Sequence, residues 1–165
     1  MAGNYLEQLV GEWYEFKGYF VRRSIRVGRR PAGGHEGELD VVAFHPTKRH
    51  LVHIEPSVDA HSWDKREERY AKKFAAGRKY IPEIFKGFDL PTDIEQIALL
   101  VLPSKGSHQT LAGGKIVTVA ELLEEIFVGI KHLSIYKNSI PEDKPLLRSF
   151  QYVAEYDQRI FNVLR

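Results

Sequence analysis

The chain has 165 residues, a length that fits one domain with a substantial core, so a single domain over residues 1–165 is predicted. Hydrophobic residues make up 43% and charged residues 28%, and no apolar run is long enough for a membrane span, so no membrane partner is expected. The sequence has no cysteine, which excludes disulfides and cysteine-bound zinc and agrees with the expected cytoplasmic location.

The first half of the chain alternates between helical and strand periodicity. Its predicted elements are, in order, a helix over residues 4–16 with Asn4 as N-cap, a strand over residues 19–27, a glycine-rich loop over residues 28–37, and a hairpin with strands over residues 38–44 and 51–56.

The second half predicts mostly helices around one buried strand. The expected elements are a helix from Trp63 to about Ala76 capped by Ser62, a short helix over residues 80–85 after a break near Gly77, strands over residues 97–102 and 115–119 joined by a loop, a helix from about Val119, and a last helix over residues 146–161. This order predicts an α/β fold with a central mixed sheet flanked by helices.

The hairpin carries two acidic residues, Asp40 within its first apolar run and Glu55 at the end of its second. A turn centred between Thr47 and Lys48 places Asp40 opposite Glu55, with Cβ atoms about 4.5–5.5 Å apart. Because two carboxylates at this distance repel each other, we predict a divalent cation between them, and Mg²⁺ prefers such oxygen ligands. Ser57 lies on the Glu55 face because side chains alternate along a strand.

A third acidic residue, Glu7, lies in the first predicted helix. Grouped carboxylates can hold a metal ion that activates water and stabilises charge on a phosphoryl group. Glu7, Asp40 and Glu55 are therefore the predicted metal ligands. Three of the candidates have structural alternatives: Glu7 as a surface residue, Glu55 as the partner of an arginine, and Ser57 as a turn residue after the strand.

These residues resemble the motifs of the PD-(D/E)XK nuclease superfamily, in particular Holliday-junction resolvases and restriction-endonuclease-like proteins. The resemblance covers roughly residues 4–85: a helix with Glu7, a strand beginning Gly18–Arg23, Asp40 in an apolar strand, and Glu55 before the next helix. It implies a restriction-endonuclease-like core and metal-dependent cleavage of DNA phosphodiester bonds with Mg²⁺ or Mn²⁺. It also implies a homodimer, in which two sites reach two strands.

The sequence departs from that family at Ser57, where the family's motif normally has a lysine two residues after the glutamate. A serine donates a hydrogen bond but carries no positive charge at neutral pH. Lys65, near the start of the following helix, is the first candidate for the missing charge, and Lys72 is the second. The catalytic set predicted from the sequence is thus Asp40, Glu55, Ser57 and Lys65.

Basic residues cluster in two stretches, residues 22–30 and 65–79, although the net charge is only +2. Such local patches bind phosphates, and Arg22, Arg23 and Lys72 are predicted to contact DNA. Two alternatives to a nuclease remain open. The chain can be a nucleic-acid-binding protein that has lost cleavage, or a protein-interaction domain in which the acids pair with the early arginines.

Overall fold

The computed structural model describes residues 4–102 and 104–165. Over these residues the chain divides into two compact units, the first ending at Val119 and the second beginning at Ala120. The first unit contains a mixed six-stranded sheet against which helices pack, so the predicted α/β class is confirmed. The restriction-endonuclease-like character of this core and the single domain over residues 1–165 stay predictions.

The described residues form five helices and six strands. In chain order they are α1 (Tyr5–Phe16), β1 (Phe20–Arg29), β2 (His35–His45), β3 (His50–Ser57), α2 (Trp63–Ile84), β4 (Glu95–Leu100), β5 (Thr110–Leu111), β6 (Gly114–Thr118), α3 (Val119–Ile130), α4 (Pro145–Glu155) and α5 (Asp157–Leu164).

The sheet changes from antiparallel to parallel at its middle strand. Its order is β1-β2-β3-β4-β6-β5; β2 pairs antiparallel with β1 and β3, whereas β4 pairs parallel with β3 and β6. In the β2–β3 hairpin Val42 faces His53 and Phe44 faces Leu51, so the predicted register is confirmed. Because the strands are antiparallel, this register places the first half of β2 beside the end of β3.

Helix α1 follows its sequence signals closely. The Asn4 side chain accepts a hydrogen bond from the Leu6 backbone N–H at 3.0 Å, which caps the helix as predicted. Leu9, Val10 and other apolar side chains of one face are buried. The chain turns away at Gly18, whose φ of +90° is a conformation that favours glycine.

The glycine-rich loop is shorter than predicted. Strand β1 extends to Arg29 and β2 begins at His35, because the ladder continues through the pairs Val27–Gly37 and Arg29–His35. The loop expected over residues 28–37 is reduced to residues 30–34.

Helix α2 runs without a break through Gly77, where the sequence predicted an interruption. The glycine is required by packing: a Cβ added at Gly77 would lie 2.3 Å from Nδ1 of the buried His53. Pro82 lies in the last turn of the same helix, so the two helices expected before and after Gly77 are one.

The later elements also differ in two places from the prediction. The loop expected over residues 104–114 contains the short strand β5, which pairs with β6. The helix expected over residues 146–161 is divided at Tyr156, where φ is −110° and ψ is 29°, into α4 and α5. In this second unit the buried Gln151 side chain accepts a hydrogen bond from Ile140 N–H and donates one to the Asn138 carbonyl, both at 2.9 Å.

Candidate active site

The two hairpin acids meet just beyond the last ladder pair of β2 and β3. That pair is Val41–Ile54, and at the next position the Asp40 backbone N–H donates to Glu55 Oε1 at 3.2 Å instead of continuing the ladder. The structure therefore brings Asp40 and Glu55 together as the register predicted. Their carboxylates share one edge of the hairpin.

Lys73 of α2 supplies the positive charge between these acids. Its ammonium donates to both carboxylate oxygens of Asp40 at 2.9 Å and also to Glu55 Oε2. The sequence prediction named Lys65 and Lys72 for this charge and did not single out Lys73. The charge that bridges the two carboxylates is thus a side chain of this chain, and the divalent cation expected between them stays a prediction.

The neighbours of the two acids separate their pKa values, although burial acts to raise both. Burial raises the pKa of Asp40 to about 8, an effect that the Glu55 charge increases and Lys73 opposes. Burial also acts to raise the pKa of Glu55, but the His53 hydrogen bond and the Lys73 charge outweigh it and lower that pKa to about 2. The pKa of Lys73 is raised, because the two acids outweigh its own burial. At neutral pH, Asp40 is thus protonated, Glu55 ionised and Lys73 charged.

Ser57 is buried at the end of β3 and belongs to a neighbouring network. Its hydroxyl donates to Asp59 Oδ2 and accepts from the Asp59 N–H at 3.3 Å. Asp59 in turn accepts from Arg66 Nε at 3.3 Å and from Arg69 at 2.5 Å. These hydrogen bonds hold the segment between β3 and α2, directly beside the acids.

A basic cavity of about 390 Å³ lies along α2 next to Lys73. Its lining residues are His61, Lys65, Glu68, Arg69, Lys72 and Lys73. Both lysines named by the sequence prediction, Lys65 and Lys72, therefore lie beside the acids' ammonium partner. Lys72 bonds Glu68 at 2.7 Å on the exposed side of the helix.

The other predicted contacts lie on α1 and β1. The Glu7 carboxylate accepts a hydrogen bond from the Ser24 hydroxyl at 3.0 Å. Arg23 packs across α1, since a Cβ added at Gly11 would lie 2.7 Å from its Cδ. Arg22 is exposed on β1 and points to the opposite face of the sheet from Arg23. Glu7 as a metal ligand and the two arginines as DNA contacts stay predictions.

Asp40 and Glu55 offer carboxylate oxygens, the ligand type that small divalent cations prefer. Within residues 4–102 and 104–165, no group of three or more His, Asp or Glu side chains is arranged to hold a metal ion. Mg²⁺, however, is usually bound by only one or two carboxylates, with water and substrate phosphates as its other ligands.

Comparison with known proteins does not assign the chain to a family. No protein-family model matches it, and no curated protein matches it. The nuclease resemblance therefore stays a prediction from the sequence. Among the described helices, none has the length and apolar character needed to cross a membrane.

The sequence contained one signal for the residue that the prediction missed. Tyr70, Phe74 and Gly77 are buried at helical spacing, and Lys73 lies next to Phe74 and three residues after Tyr70. A lysine beside such a stripe points toward the sheet, where a buried acid can pair with it. The acids on the hairpin and this lysine together indicate the site.

Proposed function

We propose that the chain is a nuclease that hydrolyses DNA phosphodiester bonds with Mg²⁺ or Mn²⁺, and that Asp40, Glu55 and Lys73 form its centre. The observation that carries this proposal is the Lys73 ammonium bonded to both carboxylates. It supplies the charge that Ser57 lacks, so we transfer to Lys73 the role that the sequence suggested for Lys65.

Asp40 and Glu55 would hold the metal ion through their carboxylate oxygens. When bound, the ion would lower the pKa of a water molecule and stabilise negative charge on the phosphoryl group. Glu55 is held ionised in advance by His53 and Lys73, whereas Asp40 has to give up a proton.

Lys73 acts as a charged donor in this proposal. Because its pKa is raised, it stays an ammonium at neutral pH and cannot serve as a general base. Its role is to donate a hydrogen bond to a phosphate oxygen or to the attacking water, and to stabilise the developing negative charge. The Lys73 side chain is 24% exposed, so a bound substrate could contact it while it stays beside the acids.

The cavity beside Lys73 gives the substrate's backbone a place to bind. Lys65, Arg69 and Lys72 line it within about two turns of one helix. Phosphates flanking the cleaved bond would be neutralised there, and binding would weaken as salt concentration rises. This arrangement supports a polynucleotide substrate.

The test is cleavage of plasmid and branched DNA in Mg²⁺ and in Mn²⁺ by four forms of the chain. Lys73→Met should lower the rate by about 100-fold or more, as removal of a transition-state donor does. Asp40→Asn should also lower the rate strongly, because it removes a carboxylate that would hold the metal ion. The control Lys86→Met replaces an exposed lysine outside both basic stretches and should stay within a few fold of wild type. Equal nicking by wild type and Asp40→Asn, or none by wild type across the screen, refutes the proposal.

One observation favours a second function, binding of nucleic acid without cleavage. The Lys73 ammonium already neutralises the acids, so the cluster can persist as a purely structural ion pair. In that case DNA binding is measurable in EDTA, survives Asp40→Asn, and is lost when Lys65 and Lys72 are replaced by Glu. Sedimentation of the same samples tests the homodimer that the resemblance implies.

A further inference from the structure

A chain of polar side chains leads from the exposed Arg78 through the buried Gln96 and His53 to Glu55. Arg78 donates to Gln96 Oε1 at 2.5 Å, and Gln96 Nε2 donates to the Phe74 carbonyl at 2.9 Å and approaches His53 Nδ1 at 3.1 Å. His53 Nε2 lies 2.7 Å from Glu55 Oε1. His53 is fully buried. Arg78, Gln96 and His53 do not belong to the catalytic set predicted from the sequence.

The partners fix the direction of every hydrogen bond in this chain. A guanidinium only donates, so the Gln96 atom facing Arg78 is the amide oxygen. The amide nitrogen then faces His53, and because it only donates, Nδ1 has to accept. With Nδ1 accepting, the ring N–H lies on Nε2 and is donated to Glu55.

With this tautomer, the two carboxylate oxygens of Glu55 have different partners. Oε1 accepts from His53 and from the Asp40 N–H, whereas Oε2 faces Lys73. Helix α2 approaches the ring closely, since a Cβ at Gly77 would lie 2.3 Å from Nδ1 and 2.6 Å from Cε1. The ring is thus held in place on both sides.

We propose that His53 is a positioning residue: by holding Oε1, it directs Oε2 of Glu55 to the place where the divalent cation would bind. Gln96 fixes the tautomer of His53 that donates to Oε1. The inference rests on the proposed metal-dependent function. Groups that orient a metal ligand in this way change metal affinity by about 10–100-fold when they are removed.

The first measurement is the tautomer of His53 in the wild-type chain, read from the ¹⁵N shifts of its ring nitrogens. The seven histidines are distinguished by the signal that disappears in His53→Gln. A proton on Nε2 supports the proposal, and a proton on Nδ1 overturns it. This result needs no metal ion and no cleavage.

The second measurement is the Mn²⁺ dissociation constant of two variants at the same position. His53→Leu should bind Mn²⁺ about 10–100-fold more weakly, and His53→Gln, which keeps an N–H donor, should recover part of the loss. Unchanged affinity in His53→Leu overturns the positioning role. Absence of Mn²⁺ binding by wild type overturns the metal-dependent function instead, and the tautomer then decides the positioning proposal.

Discussion

Replacement of Lys73 by Met removes the ammonium that bonds both acids and keeps an unbranched apolar stem. Glu55 is 1% exposed and cannot recover hydration when its partner is lost. Loss of one partner of a buried ion pair costs about 3–5 kcal/mol. Since Lys73 is partly exposed and Asp40 is protonated at neutral pH, we expect the lower end, about 3 kcal/mol of unfolding free energy.

Urea unfolding followed by tryptophan fluorescence measures this change in the first unit. The chain's two tryptophans, Trp13 and Trp63, both lie there. The control Lys72→Met removes an exposed pair with Glu68 and should leave stability unchanged. Added Mn²⁺ should restore part of the loss in Lys73→Met, because a bound cation would again balance the acids. Equal stability of the two variants would refute the claim that the Lys73 ammonium stabilises the buried Glu55 carboxylate.

Three further predictions concern stability. The pKa of Asp40 is about 8 in the folded chain and 3.8 in the unfolded chain. Between these values the folded state binds the extra proton, so without metal the free energy of unfolding should fall as pH rises. The slope is at most about 1.4 kcal/mol per pH unit. Asp40→Asn should flatten this slope in urea titrations across that range. Gly77→Ala should cost about 1–3 kcal/mol through its clash with His53, whereas Gly11→Ala, which meets a flexible side chain, should cost less in the same titrations. Asn4→Ala should lower the melting temperature through loss of about 1 kcal/mol of capping.

The hairpin was predictable because its signals are local. Alternation of apolar and polar residues and the position of the turn determine the register, and the register places Asp40 beside Glu55. The cap of α1 follows from Asn4 in the same way. These features depend on neighbours in sequence.

The lysine and the unbroken helix were not predictable by the same means. Whether Lys73 or Lys65 reaches the acids depends on how α2 rotates and docks on the sheet, which is a tertiary contact. Gly77 reads as a break because glycine weakens a helix, yet here it admits the His53 ring. In both cases the choice between the alternatives depends on contacts between segments that are far apart in the sequence.

The division of the site between hairpin and helix has a consequence for the order of folding. Lys73 is 33 residues from Asp40 and 18 from Glu55 along the chain. A hairpin that forms before α2 docks brings two carboxylates together without a counter-charge. The hydrogen bond from the Asp40 N–H to Glu55 should therefore form only when α2 docks on the sheet. Hydrogen exchange at the Asp40 amide should therefore report the docking of α2, and opening of that helix should dismantle the site while the rest of the hairpin stays paired.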